Sequence, residues 1–207
     1  MPTALEPIVF IVSGPSGSGK STLVQSILEL PNTLLSISCT TRPPRKTESG
    51  GKWYNFVSEA EFEKMKLAGE FLEYAQVFGK NWYGTPRRWL DEARTSGKDL
   101  VLEIDVQGAQ QVKQNLRAAI AIFIVPPSRA EVENRIRARG QDSEDEIARR
   151  LKRAKDELDQ YTGYDFIVVN DDRERAAKEV QGIVLGARCC TKRNEERVQG
   201  ILKSFGG

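Results

Sequence analysis

The chain has no histidine in 207 residues. That removes the commonest general base and the commonest metal ligand from its chemistry. Cysteine is nearly as scarce: only Cys39, Cys189 and Cys190 are present. An odd count with an adjacent pair makes no disulfide framework and has no metal-ligand spacing, which suits a reducing, cytoplasmic compartment. No apolar run approaches the ~18 residues of a bilayer span, and Met1 to Pro7 lacks the charged start and apolar stretch of a secretory signal. An excess of one charge is also missing, with 31 Lys and Arg against 29 Asp and Glu. That balance argues against nucleic acid or a membrane as a general partner. There is no internal repeat. A chain of this length, 39% apolar, suits one α/β domain with insertions or at most two small domains.

Glycine is placed with purpose. Residues Gly14, Pro15, Ser16, Gly17, Ser18, Gly19, Lys20 and Ser21 match the phosphate-binding P-loop, G-x-x-x-x-G-K-[ST]. The apolar run Ile8 to Val12 precedes them and a helical pattern with Thr22 follows, which is the strand–loop–helix context the mechanism needs. The glycines let the backbone wrap a phosphate, and the loop N–H groups with the helix N-terminus face the anion. In that reading Lys20 reaches the β/γ-phosphates of a nucleoside triphosphate and Ser21 sits on Mg²⁺.

Five short, β-branched-rich apolar runs read as buried parallel strands: Ile8–Val12, Leu34–Ile37, Leu100–Ile104, Ile120–Val125 and Phe166–Val169. Helical patterns lie between them, from Lys20 to before Pro31, Pro86 to Ser96 with Gly97 as terminator, 108–115, 129–138 and 173–185. The alternation predicts a doubly wound α/β fold of the P-loop type, a five-stranded parallel sheet flanked by helices, with ligands beyond the carboxyl ends of the strands.

Two stretches interrupt the alternation. Residues 38–85 are polar and aromatic, with strand-like pieces at Tyr54–Val57 and Phe71–Val77 and a helix opened by the capping box Ser58 to Glu61. Residues 128–160 are rich in arginine, and Ser143 to Glu146 is a second capping box. Insertions over the strand tips are where a substrate arm and a lid sit. The stretch from Arg188 is polar and basic and reads as a frayed tail. A phosphotransferase acting on a phosphorylated acceptor needs a second phosphate clamp. Arg42 and Arg45, spaced by prolines, supply two guanidinium groups for one, with Tyr54 and Tyr83 as further donors. Alone, that stretch reads equally well as a solvated turn.

Several motifs taken together resemble guanylate kinase. They are Thr40-Thr41-Arg42-Pro43-Pro44-Arg45, Gly51-Lys52-Trp53-Tyr54-Asn55-Phe56-Val57, Glu73-Tyr74-Ala75, Tyr83-Gly84-Thr85 and Glu103-Ile104-Asp105-Val106-Gln107-Gly108. The likeness continues through Arg139-Gly140, Arg150-Leu151 and Val169-Asn170-Asp171 and covers about residues 8 to 186. It implies transfer of the γ-phosphoryl group of ATP to GMP, with dGMP as a further acceptor, giving ADP and GDP with Mg²⁺. Ser38, Arg42, Arg45, Tyr54 and Tyr83 match positions that hold the GMP phosphate. Glu73 and Asp105 match positions that read the base, and Thr85 and Ser38 offer hydroxyls to O6. Guanine presents N1–H and N2–H₂ on one edge, and a carboxylate accepts both, whereas adenine turns a lone pair toward it.

The resemblance makes Arg139 and Arg150 lid arginines that act in transfer with Lys20 and Arg42. Arg135 lies one turn before Arg139, and Asn170 and Asp171 match a loop near the adenine. Glu146 stands four residues before Arg150, so an ordinary helix ion pair competes for that arginine, and more so for Arg149 and Arg153. Besides Ser21, Glu103 or Asp105 would serve the metal, through water. The implied organisation is a core of 1–37, 86–127 and 161–188, a GMP-binding arm of 38–85, a helical lid of 128–160 and a tail of 189–207. Small-molecule nucleotides are the expected partners, and the chain is a monomer or a homodimer. Departures from the family pattern are Thr47 for a glycine, Glu48-Ser49 for an acidic-aliphatic pair, Glu103 for aspartate, an extra Lys80, and Cys39, read as a small buried side chain. Two other readings compete: a scaffold-type guanylate-kinase-like binding module, opposed by the joint presence of Lys20, Ser21 and the lid arginines, and a kinase for another phosphorylated acceptor.

Overall fold

The apolar runs that open the chain become β1 (Val9–Ser13), α1 (Lys20–Leu28) and β2 (Thr33–Leu35). These coordinates are a computed structural model that describes residues 6–44, 54–77, 79–138 and 143–205. The chain then makes β3 (Cys39–Thr40), β4 (Asn55–Phe56), α2 (Glu59–Leu67), β5 (Phe71–Val77) and β6 (Asn81–Pro86). It continues through α3 (Arg88–Ser96), β7 (Asp99–Glu103), α4 (Val106–Asn115) and β8 (Ile120–Val125). The paired helices α5 (Arg129–Arg137) and α6 (Glu144–Leu158) follow. After a 3₁₀ turn at Tyr161–Gly163 come β9 (Phe166–Val169), α7 (Arg173–Arg188) and α8 (Thr191–Ser204).

The five predicted strands form one sheet in the order β2-β7-β1-β8-β9, with every pairing parallel. Period-two alternation divides their side chains between two layers. Phe10, Val12, Val101, Ile122 and Ile124 pack on Leu23 and Ile27 of α1 and on Val180 and Val184 of α7. Val9, Ile11, Leu100, Leu102 and Ala121 pack on Leu90 and Ala93 of α3 and on Ala109 and Val112 of α4. Covering on both faces is why the inner strands β7, β1 and β8 read as apolar runs, whereas the edge strand β9 leaves Phe166, Ile167 and Val169 exposed. The carboxyl ends of β1, β7 and β8 come together at one rim, as the parallel topology requires.

A second sheet, ordered β4-β3-β6-β5, stands apart with its own small core. Phe62 of α2 stacks on Phe71 at 4.6 Å and on Trp82 at 5.9 Å, with Cys39 buried beside them. The Ser58 hydroxyl accepts the Glu61 N–H at 3.2 Å, so the serine of the predicted capping box caps α2. Strands β3 and β6 were not anticipated from sequence. In the helix pair, Val132 and Ile136 of α5 meet Ile147, Leu151 and Ala154 of α6, and Ser143 caps α6 as expected.

One expectation is corrected. The stretch from Arg188 is no frayed tail, because residues Thr191–Ser204 are the helix α8. Its first turn is tied down by Arg193, which donates to Asp99 Oδ1 at 3.2 Å and to the Glu6 carbonyl at 2.7 Å. Asp99, buried at the start of β7, also accepts from Arg188 at 2.8 Å and from the Ile8 N–H at 2.9 Å. A long-range carboxylate thus orders a segment whose local composition argues for coil. No helix among the described residues is long and apolar enough to cross a membrane.

Candidate functional site

The loop after β1 is shaped by its glycines. Gly14 has φ +142°, and a Cβ there would lie 2.3 Å from the Ile124 carbonyl oxygen. Gly19 enters α1 at φ +91°, and a Cβ would meet Asn170 Nδ2 at 2.3 Å. Both positions therefore need glycine for conformation and for space. α1 carries no acidic residue in its first turn, which leaves its N-terminal N–H groups open to an anion. The Lys20 ammonium is held over the loop by the carbonyls of Gly14 (2.6 Å) and Pro15 (3.1 Å). Ser21 donates to Glu103 Oε1 at 2.6 Å, joining the helix start to the end of β7. Thr22 is exposed on the same turn.

Arg135 of α5 braces this loop from behind. Its guanidinium donates to the carbonyls of Gly17 and Ser18, both at 3.2 Å, and to that of Asn170 at 3.3 Å. Asn170 Nδ2 donates to the Ser18 carbonyl at 2.7 Å. Asp171 turns to the surface instead. Its carboxylate takes the Asp172 N–H and pairs with Arg175, and these contacts hold its carboxyl below the usual aspartate range. Asp171 is thus part of the start of α7, and only its neighbour Asn170 touches the loop.

The helix α6 reaches the same loop from the front. Arg150 donates to Ser16 Oγ at 2.6 Å rather than pairing with Glu146, which takes Arg149. Glu157 accepts the Ser16 N–H at 3.2 Å and Arg153 Nε at 2.8 Å. Arg153 also lies 3.5 Å from Asp105 Oδ2. Asp105 itself caps α4, its Oδ1 accepting from the N–H groups of Gln107 and Gly108.

The second sheet supplies the opposite wall. Glu73 is buried on β5, and its Oε1 accepts the Thr85 hydroxyl at 2.6 Å. The Ser38 hydroxyl is 3.4 Å from that of Thr85. Burial is the largest influence on Glu73 and pushes its carboxyl up to about 7, with the nearby charge of Asp105 adding to it and the Thr85 hydroxyl opposing it. Arg42 Nε donates to Tyr83 Oη at 3.2 Å, and the guanidinium stands 5.6 Å from the Tyr54 ring centre. Tyr54 and Tyr83 meet edge to face at 5.6 Å.

One cleft of about 230 Å³ joins these walls, with Lys20 and Ser16 at one side, Glu73 and Tyr54 at the other, and Asp105 and Arg153 between. Gly14, Ser38, Tyr83 and Glu103 line it as well, whereas Arg42, Thr85 and Arg150 reach it through hydrogen bonds to the lining residues Tyr83, Glu73 and Ser16. Arg45 and Arg139 lie outside the described residues.

The cleft thus holds both the lysine of the G-x-x-x-x-G-K-[ST] loop and a buried carboxylate from the second sheet. The guanylate kinase family model matches residues 6–186. The chain belongs to the guanylate kinase family. The guanylate kinase of Aliivibrio fischeri is 42% identical over 200 residues, covering 95% of this chain and 96% of its relative. The Escherichia coli K12 guanylate kinase is 43% identical over the same length and coverage. The crystal structure of guanylate kinase from Anaplasma phagocytophilum superposes with a TM-score of 0.76 at 34% identity, over 93% of this chain and 92% of that one.

Sequence reasoning on this guanylate kinase family member passed over Glu157 and discounted Arg153 as a plain helix pair. The pairing with Glu157 exists, yet both residues also belong to the cleft. The signal was there: Arg150, Arg153 and Glu157 fall at i, i+3 and i+7, a charged row on one face of α6. Cys39 is buried and burial raises its thiol pKa, as befits a packing residue of the guanylate kinase fold. For Mg²⁺, a hard cation that keeps most of its water and binds through one or two protein oxygens plus phosphates, the Ser21 hydroxyl beside the Glu103 carboxylate is a fitting donor set. Among the described residues there is no group of three or more acidic or cysteine side chains to form a closed cage.

Proposed function

We propose that ATP lies with its phosphates in the 14–21 loop and GMP lies under the second sheet, so that the cleft brings donor and acceptor phosphates together. The chain catalyses ATP-dependent phosphorylation of GMP to GDP. The observation that carries the placement is that Lys20, at the start of α1, and Glu73, on β5 of the second sheet, line one cleft.

Phosphoryl transfer asks little covalent work of a protein, and positioning with charge neutralisation supplies most of the acceleration. In this reading the loop N–H groups and Lys20 hold the β- and γ-phosphates. Ser38, Arg42, Arg45, Tyr54 and Tyr83 hold the acceptor phosphate, whose oxygen is already anionic and needs no strong base. That is why a chain without histidine can run the reaction. Glu73, with Asp105 beside it, accepts from N1–H and N2–H₂ of guanine. Ser21, with Glu103 behind it, would hold Mg²⁺, which neutralises charge on the transferring group when bound. Arg150 and Arg139 close over the phosphates from the α5–α6 side, Arg135 fixes the loop they meet, and Asn170 flanks the adenine. Residues 38–85 act as the acceptor arm and 128–160 as the lid, with water excluded between them. The chain works in the cytoplasm.

A coupled assay with ATP and Mg²⁺ tests the placement. GMP is turned over and AMP is not, because adenine leaves Glu73 facing a lone pair; equal turnover of the two overturns the base assignment. Lys20→Ala folds normally and loses transfer. Wild-type turnover in that variant would remove the 14–21 loop from the site.

A further inference from the structure

The base-reading carboxylate does not stand alone. β5 is the edge strand of the second sheet, so the backbone of alternate residues along it has no strand partner. At Tyr74, the residue after Glu73, that edge is closed by a side chain from the other sheet's layer. Gln111 of α4 accepts the Tyr74 N–H at 3.3 Å and donates to the Tyr74 carbonyl at 2.8 Å. One turn earlier on the same helix is Gly108. A Cβ built there would lie 2.5 Å from Glu73 Oε2 and 2.9 Å from Glu73 Cδ. The carboxylate therefore occupies the space that any other residue at 108 would fill. Its other oxygen is pinned by Thr85 at 2.6 Å. The strand edge beside Glu73 and the two sides of its carboxylate are thus each bounded by a separate neighbour, and two of the three, Gln111 and Gly108, belong to α4.

We propose that Gly108 and Gln111 are positioning residues for guanine selection, acting through Glu73. This rests on the reading of Glu73 as the acceptor for the guanine N–H groups. Gly108 needs no special backbone conformation, since it sits inside a regular helix and its N–H is held by Asp105 Oδ1 at 3.0 Å, a bond alanine keeps. Helix propensity favours alanine there. What alanine disturbs is the far end of a flexible side chain, so the strain moves the Glu73 carboxylate rather than the helix. Gln111 works from the other side. Replacing it by methionine, of similar length but without the amide, releases the β5 edge beside Glu73 and leaves every cleft-lining residue in place.

The test measures kcat and KM for GMP and for inosine monophosphate, which lacks the 2-amino group, with saturating ATP. Gly108→Ala and Gln111→Met are made in the wild-type and in the Glu73→Gln backgrounds. In the wild-type background each lowers the GMP-to-IMP ratio of kcat/KM by roughly tenfold to a hundredfold, the scale of a misplaced contact group, while KM for ATP and the melting temperature hold. In the Glu73→Gln background the same substitutions change the ratio by less than about twofold, because residues acting through one group are not additive. Equal effects in both backgrounds, or no effect of either substitution while Glu73→Gln alone lowers the ratio, overturn the positioning role and leave the base reading intact. An unchanged ratio in Glu73→Gln itself overturns the base reading.

Discussion

Replacing Glu73 by glutamine makes the nucleotide-free protein more stable at alkaline pH. The carboxyl stands at about 7 in the fold against 4.5 when exposed, because burial disfavours its ionised form. The folded state therefore holds a proton that the unfolded state has released, and stability falls as pH rises between these two values. Each pH unit of displacement is worth about 1.4 kcal/mol, so ionised Glu73 destabilises the fold by about 3 kcal/mol above pH 8. Glutamine keeps an oxygen for the Thr85 hydroxyl and removes the charge. Allowing ~1 kcal/mol for an imperfectly paired amide leaves a net gain of about 2 kcal/mol, or roughly 4–8 °C in melting temperature for a chain of this size. Urea denaturation of both proteins at pH 8 and pH 5 reads the difference. The gap closes at pH 5, where the folded carboxyl is neutral and the linkage contribution of under about 1 kcal/mol is cancelled by the cost of the amide. A variant no more stable than wild type at pH 8, or a gap equal at both pH values, refutes this account of the buried carboxylate.

Three further outcomes follow from the same contacts. If the carboxylate form accepts guanine, KM for GMP rises about fivefold from pH 7 to pH 6; a slope that survives in Glu73→Gln places the titrating group elsewhere. Asp99→Ala strands two arginines at the base of the sheet and lowers stability by about 3 kcal/mol, at the low end for a broken buried pair because both guanidinium groups keep some water. Denaturant midpoints measure that loss, turnover per folded molecule stays at the wild-type value, and a loss under about 1 kcal/mol contradicts the anchoring of α8. Ser21→Ala raises the Mg²⁺ concentration needed for half-maximal rate about tenfold or more, read by titrating the metal at saturating nucleotides, and an unchanged requirement removes Ser21 from the metal's shell.

What could be read from the sequence follows the physics of each segment. The three central strands β7, β1 and β8 announced themselves because both their faces are covered, and the edge strands β2 and β9 because their runs stay apolar even where half-buried or exposed. The serine caps at Ser58 and Ser143 were legible because their logic is local, a hydroxyl and an N–H three residues apart. β6 was not, since Asn81-Trp82-Tyr83-Gly84-Thr85-Pro86 has no apolar alternation and is held as a strand by β3 and β5 on either side. α8 failed for the opposite reason: its restraint is a carboxylate 94 residues away. In the site, the 14–21 loop was visible because a phosphate cradle is contiguous in sequence. Glu73 and Asp105 came through family resemblance, and their environments, one buried beside a threonine and the other capping a helix, appear only in three dimensions. The Gln111 contact with Tyr74 carries no sequence signal at all, because an amide closing a strand edge can come from anywhere.

The short strand β7 is checked at both of its ends. Asp99 begins it and receives Arg188, Arg193 and Ile8; Glu103 ends it and receives Ser21. A slip of one position against β1 would carry the first carboxylate away from its arginines and the second away from its serine in a single move, and would also turn Leu100 and Leu102 toward the wrong layer. A misaligned chain consequently has no way to assemble the catalytic rim while leaving the far rim undone. For this strand, correct threading and competence for chemistry are one event.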